Sequence, residues 1–217
     1  MHFRESYGRK IFYPQVDTFK NVIAVNLLHT LRNQYPIFAK IIIMSTINVA
    51  TPSGIILNAA QEKRLADFRN ATKMSLWMIK ALPAAWFMGV RIKNISPERS
   101  EIKLPYGWRS QNPFQSIYFA AQCAAGEYAT GMLATLALEG REKVSMLVTH
   151  VEADFFKKAN SETIFSCDEG LIAFQTIDRA IETNQAQTLI MTSRGVQKNG
   201  EVVSEVRVTW SFKKKSK

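Results

Sequence analysis

The sequence is poor in the residues that build metal sites and disulfide frameworks. Its 217 residues include two cysteines, Cys123 and Cys167, and three histidines that lie far apart in the chain. Structural zinc sites take several ligands at short spacings, so the sequence predicts no metal site. Both cysteines lie in apolar or strand-like segments, and reduced thiols are typical of a cytoplasmic protein. We therefore expect a cytoplasmic location.

Long apolar runs are also missing. The longest run with few charged residues, 113–138, contains Gln115, Gln122 and Glu127. A buried core helix explains such a run better than a membrane span, so no membrane span is expected.

The first 43 residues lack the apolar core and the cleavage site of a signal peptide. They mix aromatic and basic residues without a sustained period, and Met44 offers a plausible start for a folded unit. We interpret 1–43 as an N-terminal extension outside the native domain and 44–217 as a single domain.

Acidic residues are fewer than basic ones, 18 against 28, which gives a net charge of +10. Such a charge attracts anionic ligands, for example the phosphates of coenzyme A or of a nucleic acid. No nucleic-acid-binding motif is present, so a nucleic-acid partner is not predicted.

Helical patterns occupy two long segments. Apolar residues recur at helical spacing over about 59–81, which predicts one leading helix that ends before Pro83. Residues 113–139 show no strand alternation and are rich in alanine and glycine. This pattern predicts a long central helix that is apolar on all sides, enclosed by other elements and ended by Gly140.

Strand patterns dominate the remainder of the chain. Alternation predicts a hairpin near 90–106, and Asn199-Gly200 between alternating residues predicts a type I′ hairpin turn. A short helix is predicted at 170–183, and the other predicted strands are 146–156, 162–167, 186–197 and 201–213. The element order predicts an α+β fold, with an antiparallel sheet wrapped around the central helix.

One residue of the central helix stands out chemically. Glu127 is the sole carboxylate between Pro113 and Leu138. Burial would raise the pKa of this carboxyl group, as a general base requires. The alternative is structural, with Glu127 reaching solvent or pairing with a basic residue of a partner subunit, and the residues alone leave both interpretations open.

The segment 112–121, followed by Glu127, resembles the central motif of hotdog-fold acyl-CoA thioesterases. Segments 148–155 and 210–213 are similar to an uncharacterised, thioesterase-like branch of that superfamily, related to phenylacetate-pathway thioesterases. The resemblance covers roughly residues 60–214 and implies a hotdog fold.

The resemblance also implies roles for five residues. Tyr118 takes the position of the family histidine, and the N–H of Phe119 would polarise the thioester carbonyl. Glu127 would activate water or attack directly as a nucleophile. Asn112 would orient the water or the carbonyl, and Ser145 would hold the carboxylate or the water. These roles predict hydrolysis of acyl-CoA or another acyl thioester.

Ligands and partners follow from the same resemblance. Arg109, Arg194 and Lys198 are candidates to contact the phosphates of coenzyme A, which is part of the substrate and not a cofactor. Hotdog proteins pair through their sheets, so we expect a homodimer or a dimer of dimers with the site between subunits.

Two questions stay open at this level. The family motif has His-Gly-Gly where this chain has Tyr118, Phe119 and Ala120, so a non-catalytic acyl-CoA or lipid-binding protein is the alternative function. The start of the central helix is also open, because either Asn112 or Ser116 could cap it. The Phe119 N–H is available to a substrate only in the second case.

Overall fold

The structure is a computed structural model that describes residues 54–215. The predicted extension 1–43 and the predicted domain start at Met44 lie outside the described residues. In chain order the elements are α1 Ala59–Arg69, α2 Ala71–Ala81, α3 Pro83–Met88, β1 Arg91–Ile95, β2 Ser100–Leu104, α4 Phe119–Leu138, β3 Val144–Phe155, β4 Thr163–Cys167, α5 Gly170–Thr183, β5 Gln187–Gln197 and β6 Val202–Lys214.

The leading helix is two helices, so the prediction of one continuous helix over 59–81 was wrong. The break is at Asn70, whose extended backbone ends α1 and begins α2. Its side chain accepts a hydrogen bond of 2.9 Å from the N–H of Lys73. An asparagine side chain satisfies the free N–H groups of a new helix, which favours the interruption.

The central helix α4 starts later than the sequence indicates. It begins at Phe119, and Tyr118, with φ −60° and ψ 134°, is its N-cap residue. Both proposed caps, Asn112 and Ser116, were therefore wrong. The side-chain oxygen of Asn112 instead accepts hydrogen bonds from Phe114 N and from Ser116 N and Oγ, so it folds a turn before the helix.

Helix α4 packs closely against the sheet through its small residues. A Cβ atom added to Gly126 would lie 2.6 Å from Cβ of Val206 on β6, so only glycine allows this approach. Helix α4 is not enclosed on all sides, contrary to expectation, because Ala120, Ala124 and Glu127 form a partly exposed stripe. Helical spacing places these residues on one face.

The described strands form one antiparallel sheet in the order β1-β2-β4-β5-β6-β3. This arrangement confirms the predicted α+β architecture of a long helix on an antiparallel sheet. Helix α4 packs on β2, β4, β5 and β6. Strand β3 pairs with β6 on one side, and its other edge carries no strand within residues 54–215.

The turn between β5 and β6 differs from the predicted type I′ turn. Gly200 has φ +83°, but Asn199 is not among the described residues with positive φ, and type I′ requires positive φ at both. The Gly200 N–H donates to Gln197 O, and the Gln197 N–H donates to Glu201 O. This pattern is that of a type I turn followed by a left-handed residue, with the glycine in the left-handed position.

No helix in residues 54–215 is both long and apolar enough to cross a bilayer. In the same residues, no three His, Cys, Asp or Glu side chains cluster as metal ligands would.

Candidate active site

A cavity of about 350 Å³ lies at the N-terminal end of α4. Two sides of it come from the turn before the helix and from the first turn of the helix, and the third comes from the end of β3 and the segment that follows it. Its lining residues are Asn112, Ser116, Ile117, Phe119, Gln122, Phe155, Phe156, Lys157, Lys158 and Ala159.

The helix presents free N–H groups at this cavity. Within residues 54–215, neither the N–H of Phe119 nor that of Ala120 has a hydrogen-bond acceptor, whereas the N–H of Tyr118 donates to Ser110 O. The first N–H groups of an α-helix have no partner inside the helix, and the helix dipole makes this end positive. The cavity therefore offers donors to a carbonyl oxygen or an anion.

Two of the residues that replace the family His-Gly-Gly, Tyr118 and Phe119, place aromatic rings at this end of the helix. The rings of Tyr118 and Phe119 meet edge to face with centroids 4.8 Å apart, and Phe119 meets Phe155 in the same way at 6.3 Å. All three side chains are exposed by 44% or more, and Phe119 and Phe155 line the cavity.

Asn112 lines the cavity and shapes it. Its side-chain oxygen accepts hydrogen bonds from Phe114 and Ser116 in the turn before α4. Its backbone N–H donates to Ser116 O at 2.8 Å. Its side-chain NH2 group has no acceptor among the described residues and is the part of Asn112 that a bound ligand could use.

The segment after β3 brings lysines that the sequence analysis missed. Lys157 and Lys158 line the cavity, and Lys157 is also ion-paired with Glu201. Lys158 has no ion pair within residues 54–215. Buried Gln197 holds this segment, because its side chain donates to Lys158 O and accepts from three donors on Asn160 and Ser161.

Gln122 is a second cavity residue that was missed. It is 4% exposed, donates to Ile117 O and accepts from Ser204 Oγ at 2.8 Å. The signal was present in the sequence, because Gln122 is a polar residue in an otherwise apolar stretch of helix. The lysines gave no such signal, since basic residues in a loop are common.

Glu127 lies on the same helix but not at the cavity. It is eight residues beyond Phe119, or roughly 12 Å along the helix axis at 1.5 Å per residue. Its Oε1 is 3.4 Å from the Cβ position of Gly131, which places the carboxylate over the next turn of the helix. Burial raises the pKa of Glu127, and its side chain has no hydrogen-bond or ion-pair partner among the described residues.

Ser145 lies far from the cavity in the same protomer. It is near the start of β3, where its hydroxyl donates to Lys213 O at 3.0 Å. Phe155, at the other end of β3, is ten residues away, which is roughly 33 Å along an extended strand. One protomer therefore does not bring Ser145, Glu127 and the start of α4 together.

The three candidate phosphate contacts are dispersed. Arg109 lies on the exposed loop before α4, and its Nη2 is 3.8 Å from the Cβ position of Gly89. Exposed Arg194 is bound to Glu205 at 2.8 Å. Lys198 is in the β5–β6 turn and lines a different cavity, of about 490 Å³.

Trp210, Tyr106 and Trp108 divide between core and surface. Trp210 is 4% exposed and its indole N–H donates to Thr130 Oγ1. Tyr106 packs against the core. Trp108 is 74% exposed and lies on the loop before α4, where its ring meets exposed Phe87.

Comparison with known proteins identifies the family. Residues 71–212 match the model of the family described as "Domain of unknown function (DUF4442)". The chain belongs to this family. No curated protein sequence matches it significantly.

Solved structures share the fold at low sequence identity. A protein of unknown function from Pseudomonas aeruginosa, described as a probable thioesterase, is 11% identical, with a TM-score of 0.54 over 66% of this chain and 96% of that one. A protein of unknown function from Chlorobaculum tepidum is 15% identical, with a TM-score of 0.59 over 73% of this chain and all of that one. The hotdog fold of this DUF4442 protein is thereby confirmed.

Proposed function

We propose that this DUF4442 protein hydrolyses acyl thioesters, with acyl-CoA as the substrate class and Glu127 as the general base or nucleophile. The observation that carries the proposal is the start of α4, where the N–H groups of Phe119 and Ala120 have no acceptor among the described residues and Phe119 lines a cavity. The hotdog neighbours add support at the level of the fold. The proposed reaction needs no cofactor, since coenzyme A belongs to the substrate, and we place it in the cytoplasm.

The free N–H groups suit the charge that develops during thioester hydrolysis. Attack on the carbonyl carbon moves an electron pair onto the carbonyl oxygen, and preorganised N–H donors stabilise that oxyanion. The N–H of Phe119 occupies this position in the proposal, and the side-chain NH2 of Asn112 is a second donor at the same cavity.

Glu127 supplies the proton transfer in the water-mediated form of the reaction. Its carboxylate takes a proton from water as the water oxygen bonds to the carbonyl carbon. The C–S bond then breaks, and the departing sulfur receives the proton from Glu127, which leaves a carboxylic acid and a free thiol. Because burial raises the pKa of Glu127, the group is a stronger base than an exposed glutamate and also a usable acid.

The distances within one protomer favour a site shared between two copies. Glu127 and the N–H of Phe119 are separated by roughly 12 Å along α4, which is too far for both to act on one carbonyl group. We propose that the carboxylate of one protomer serves the helix start of its partner in a homodimer. Association into a dimer of dimers is compatible with this arrangement.

Strand β3 is the proposed dimer edge. Beyond its pairing with β6 it has a free edge among the described residues, and Leu147 and Val151 are exposed by 64% and 44%. An antiparallel pairing of two β3 strands would bring Ser145 of one copy toward the end of β3 that carries Phe155 in the other. This geometry would restore Ser145 to the site.

Basic residues at the cavity are proposed to bind the coenzyme A part of the substrate. Lys158 lines the cavity without an ion pair in the described part of the chain, so it is the residue best placed to meet a phosphate of coenzyme A. Arg109, on the loop before α4, remains a candidate. Arg194 and Lys198 remain weaker candidates because Arg194 is paired with Glu205 and Lys198 lines another cavity.

One observation favours the alternative of a binding protein without catalysis. The rings of Tyr118 and Phe119 stand at the helix start, where the motif that the sequence resembles has histidine and glycine. Glycine lets a substrate approach the backbone closely, and a phenyl ring narrows that approach.

Hydrolysis of a panel of short-, medium- and long-chain acyl-CoAs, followed through the free thiol, separates the two functions. Thioesterase activity that is lost in Glu127→Gln supports the proposal. Tight acyl-CoA binding by both proteins, without turnover on any chain length, supports the binding protein instead. Lys158→Glu should raise KM for acyl-CoA with little change in kcat, because the lysine contacts the carrier and not the thioester.

A further inference from the structure

Helix α2 turns an apolar face toward solvent. Its buried side chains, Met74 and Met78, pack into the core. On the remaining surface Leu76 is 65% exposed, Trp77 43% and Ile79 46%.

Leu82, directly after α2, is 36% exposed. We call Leu76, Trp77, Ile79, Lys80 and Leu82 together the α2 outer surface. A cluster of large exposed apolar side chains on one helix marks an interaction site in a folded protein.

The α2 outer surface lies in a purely basic part of the chain. Residues 68–97 contain five basic residues and no acidic one. Lys73 is paired with Asp67 of α1 and Lys93 with Glu101 of β2, but Lys80 is exposed and has no ion pair within residues 54–215. The α2 outer surface therefore combines apolar side chains with one lysine, Lys80, whose charge is not neutralised by the described residues.

An exposed aromatic pair joins the next helix to the loop before α4. Phe87 of α3 and Trp108 meet edge to face with centroids 5.7 Å apart, and they are exposed by 48% and 74%. The loop that carries Trp108 packs on the end of α3, since a Cβ atom on Gly89 would lie 2.7 Å from Pro105 Cγ. Exposed tryptophan is typical of the interface between water and lipid.

We propose that the α2 outer surface docks on an anionic lipid bilayer. A lysine within an apolar face is costly in a protein interface, where it loses its water, and lysine is depleted there. At a bilayer the apolar side chains enter the acyl boundary while the lysine reaches the phosphate layer. Docking of this kind is peripheral and requires no membrane-spanning helix.

Co-sedimentation with vesicles tests the proposal. The full-length protein is mixed with vesicles of phosphatidylcholine alone or with added phosphatidylglycerol, at low and high salt. We expect binding that requires phosphatidylglycerol and weakens with salt. The double variant Leu76→Ser/Ile79→Ser should bind about tenfold more weakly or worse, and Lys80→Glu should bind roughly fivefold more weakly.

Matched controls exclude a general effect of the +10 charge. Ile190, which is 60% exposed on β5, and exposed Lys143 lie outside the α2 outer surface. Ile190→Ser and Lys143→Glu should leave vesicle binding unchanged, and circular dichroism checks that every variant is folded.

Three results would overturn the proposal. They are an absence of binding to phosphatidylglycerol vesicles, an equal loss in the control variants, and a change in the molar mass of the α2 variants without a change in vesicle binding. The last result would assign this face to contacts between copies of the chain.

Discussion

Phe119, the first residue of the central helix, packs edge to face against Phe155, the last residue of strand β3, with ring centroids 6.3 Å apart. This contact joins the free N–H groups of the helix to one end of the strand whose outer edge is unpaired in the described residues. The proposed oxyanion site and the proposed dimer edge therefore meet at this pair of rings.

The role of the Phe119 N–H can be tested without moving the helix. Phe119→Pro deletes the N–H, and proline is favoured at the first position of a helix. Tyr118 has the extended backbone that a residue before proline requires. We expect kcat to fall by roughly 10²- to 10³-fold, measured on acyl-CoA at saturation.

Phe119→Ala is the control for this change, because it removes the ring and keeps the N–H. It should retain kcat or increase it by opening the cavity. Equal losses in the two variants would show that the ring, and not the N–H, matters.

The pH dependence of hydrolysis should report Glu127. The reaction requires the ionised carboxylate, and burial raises the pKa of this group. The acid limb of kcat/KM should therefore lie above the ordinary glutamate pKa of about 4.3. A pH–rate profile checks this, and a limb at or below the ordinary value would contradict the assignment.

Glu127→Gln should stabilise the fold at neutral pH. Because burial raises the pKa of Glu127, the folded protein binds the proton more tightly than the unfolded chain. The wild type therefore loses stability as pH rises from the unfolded-state pKa through the raised one. The gain in the free energy of unfolding of the variant should vanish below about pH 4, as denaturant titrations at several pH values would reveal. A variant less stable than wild type at neutral pH would show that the carboxylate has a favourable partner.

Tyr128→Phe should leave stability unchanged or raise it. The side chain is 2% exposed, and its hydroxyl has no hydrogen-bond partner among the described residues. Removing an unpaired buried hydroxyl while keeping the ring costs little, so we expect a change between zero and about +2 kcal/mol in the free energy of unfolding. A loss of more than about 1 kcal/mol would mean that the hydroxyl has a partner in solution.

Gly126→Ala should destabilise the fold although alanine favours helix. The new Cβ would lie 2.6 Å from Cβ of Val206 in β6, so the helix or the strand must shift, at a cost of about 1–3 kcal/mol. Gly131→Ala is the matched control, because there the nearest atom, on Trp210, is 3.3 Å away. It should stay within about 1 kcal/mol of wild type, and equal losses would argue against a special contact at Gly126.

The sequence predicted the element types well because apolar periodicity extends over whole helices and strands. It failed where one side chain decides a boundary. Asn70 interrupts the leading helix because its side chain accepts a hydrogen bond from the N–H of Lys73. The apolar pattern does not reveal this bond. Asn112 was a candidate cap of α4, and its side-chain oxygen instead folds the turn before the helix.

The candidate site was only partly predictable for a different reason. Phe119 and Glu127 were named as candidates because of their motif positions on one helix. Lys158 lies on the segment after β3, and Gln197 lies at the end of β5, where its side chain binds that segment. These residues are far apart in sequence and meet only in the folded chain. Their types are common on protein surfaces, so only the fold shows that they shape the cavity.

A complementation experiment tests the central claim of a shared, carboxylate-dependent thioesterase site most directly. Glu127→Gln and Phe119→Pro chains with different tags are co-expressed, and the mixed dimer is purified and assayed on acyl-CoA. Each parent should be inactive, and the mixed dimer should recover roughly half of the wild-type activity, because one of its two sites combines an intact helix start with an intact carboxylate. A mixed dimer as inactive as its parents would contradict the shared site.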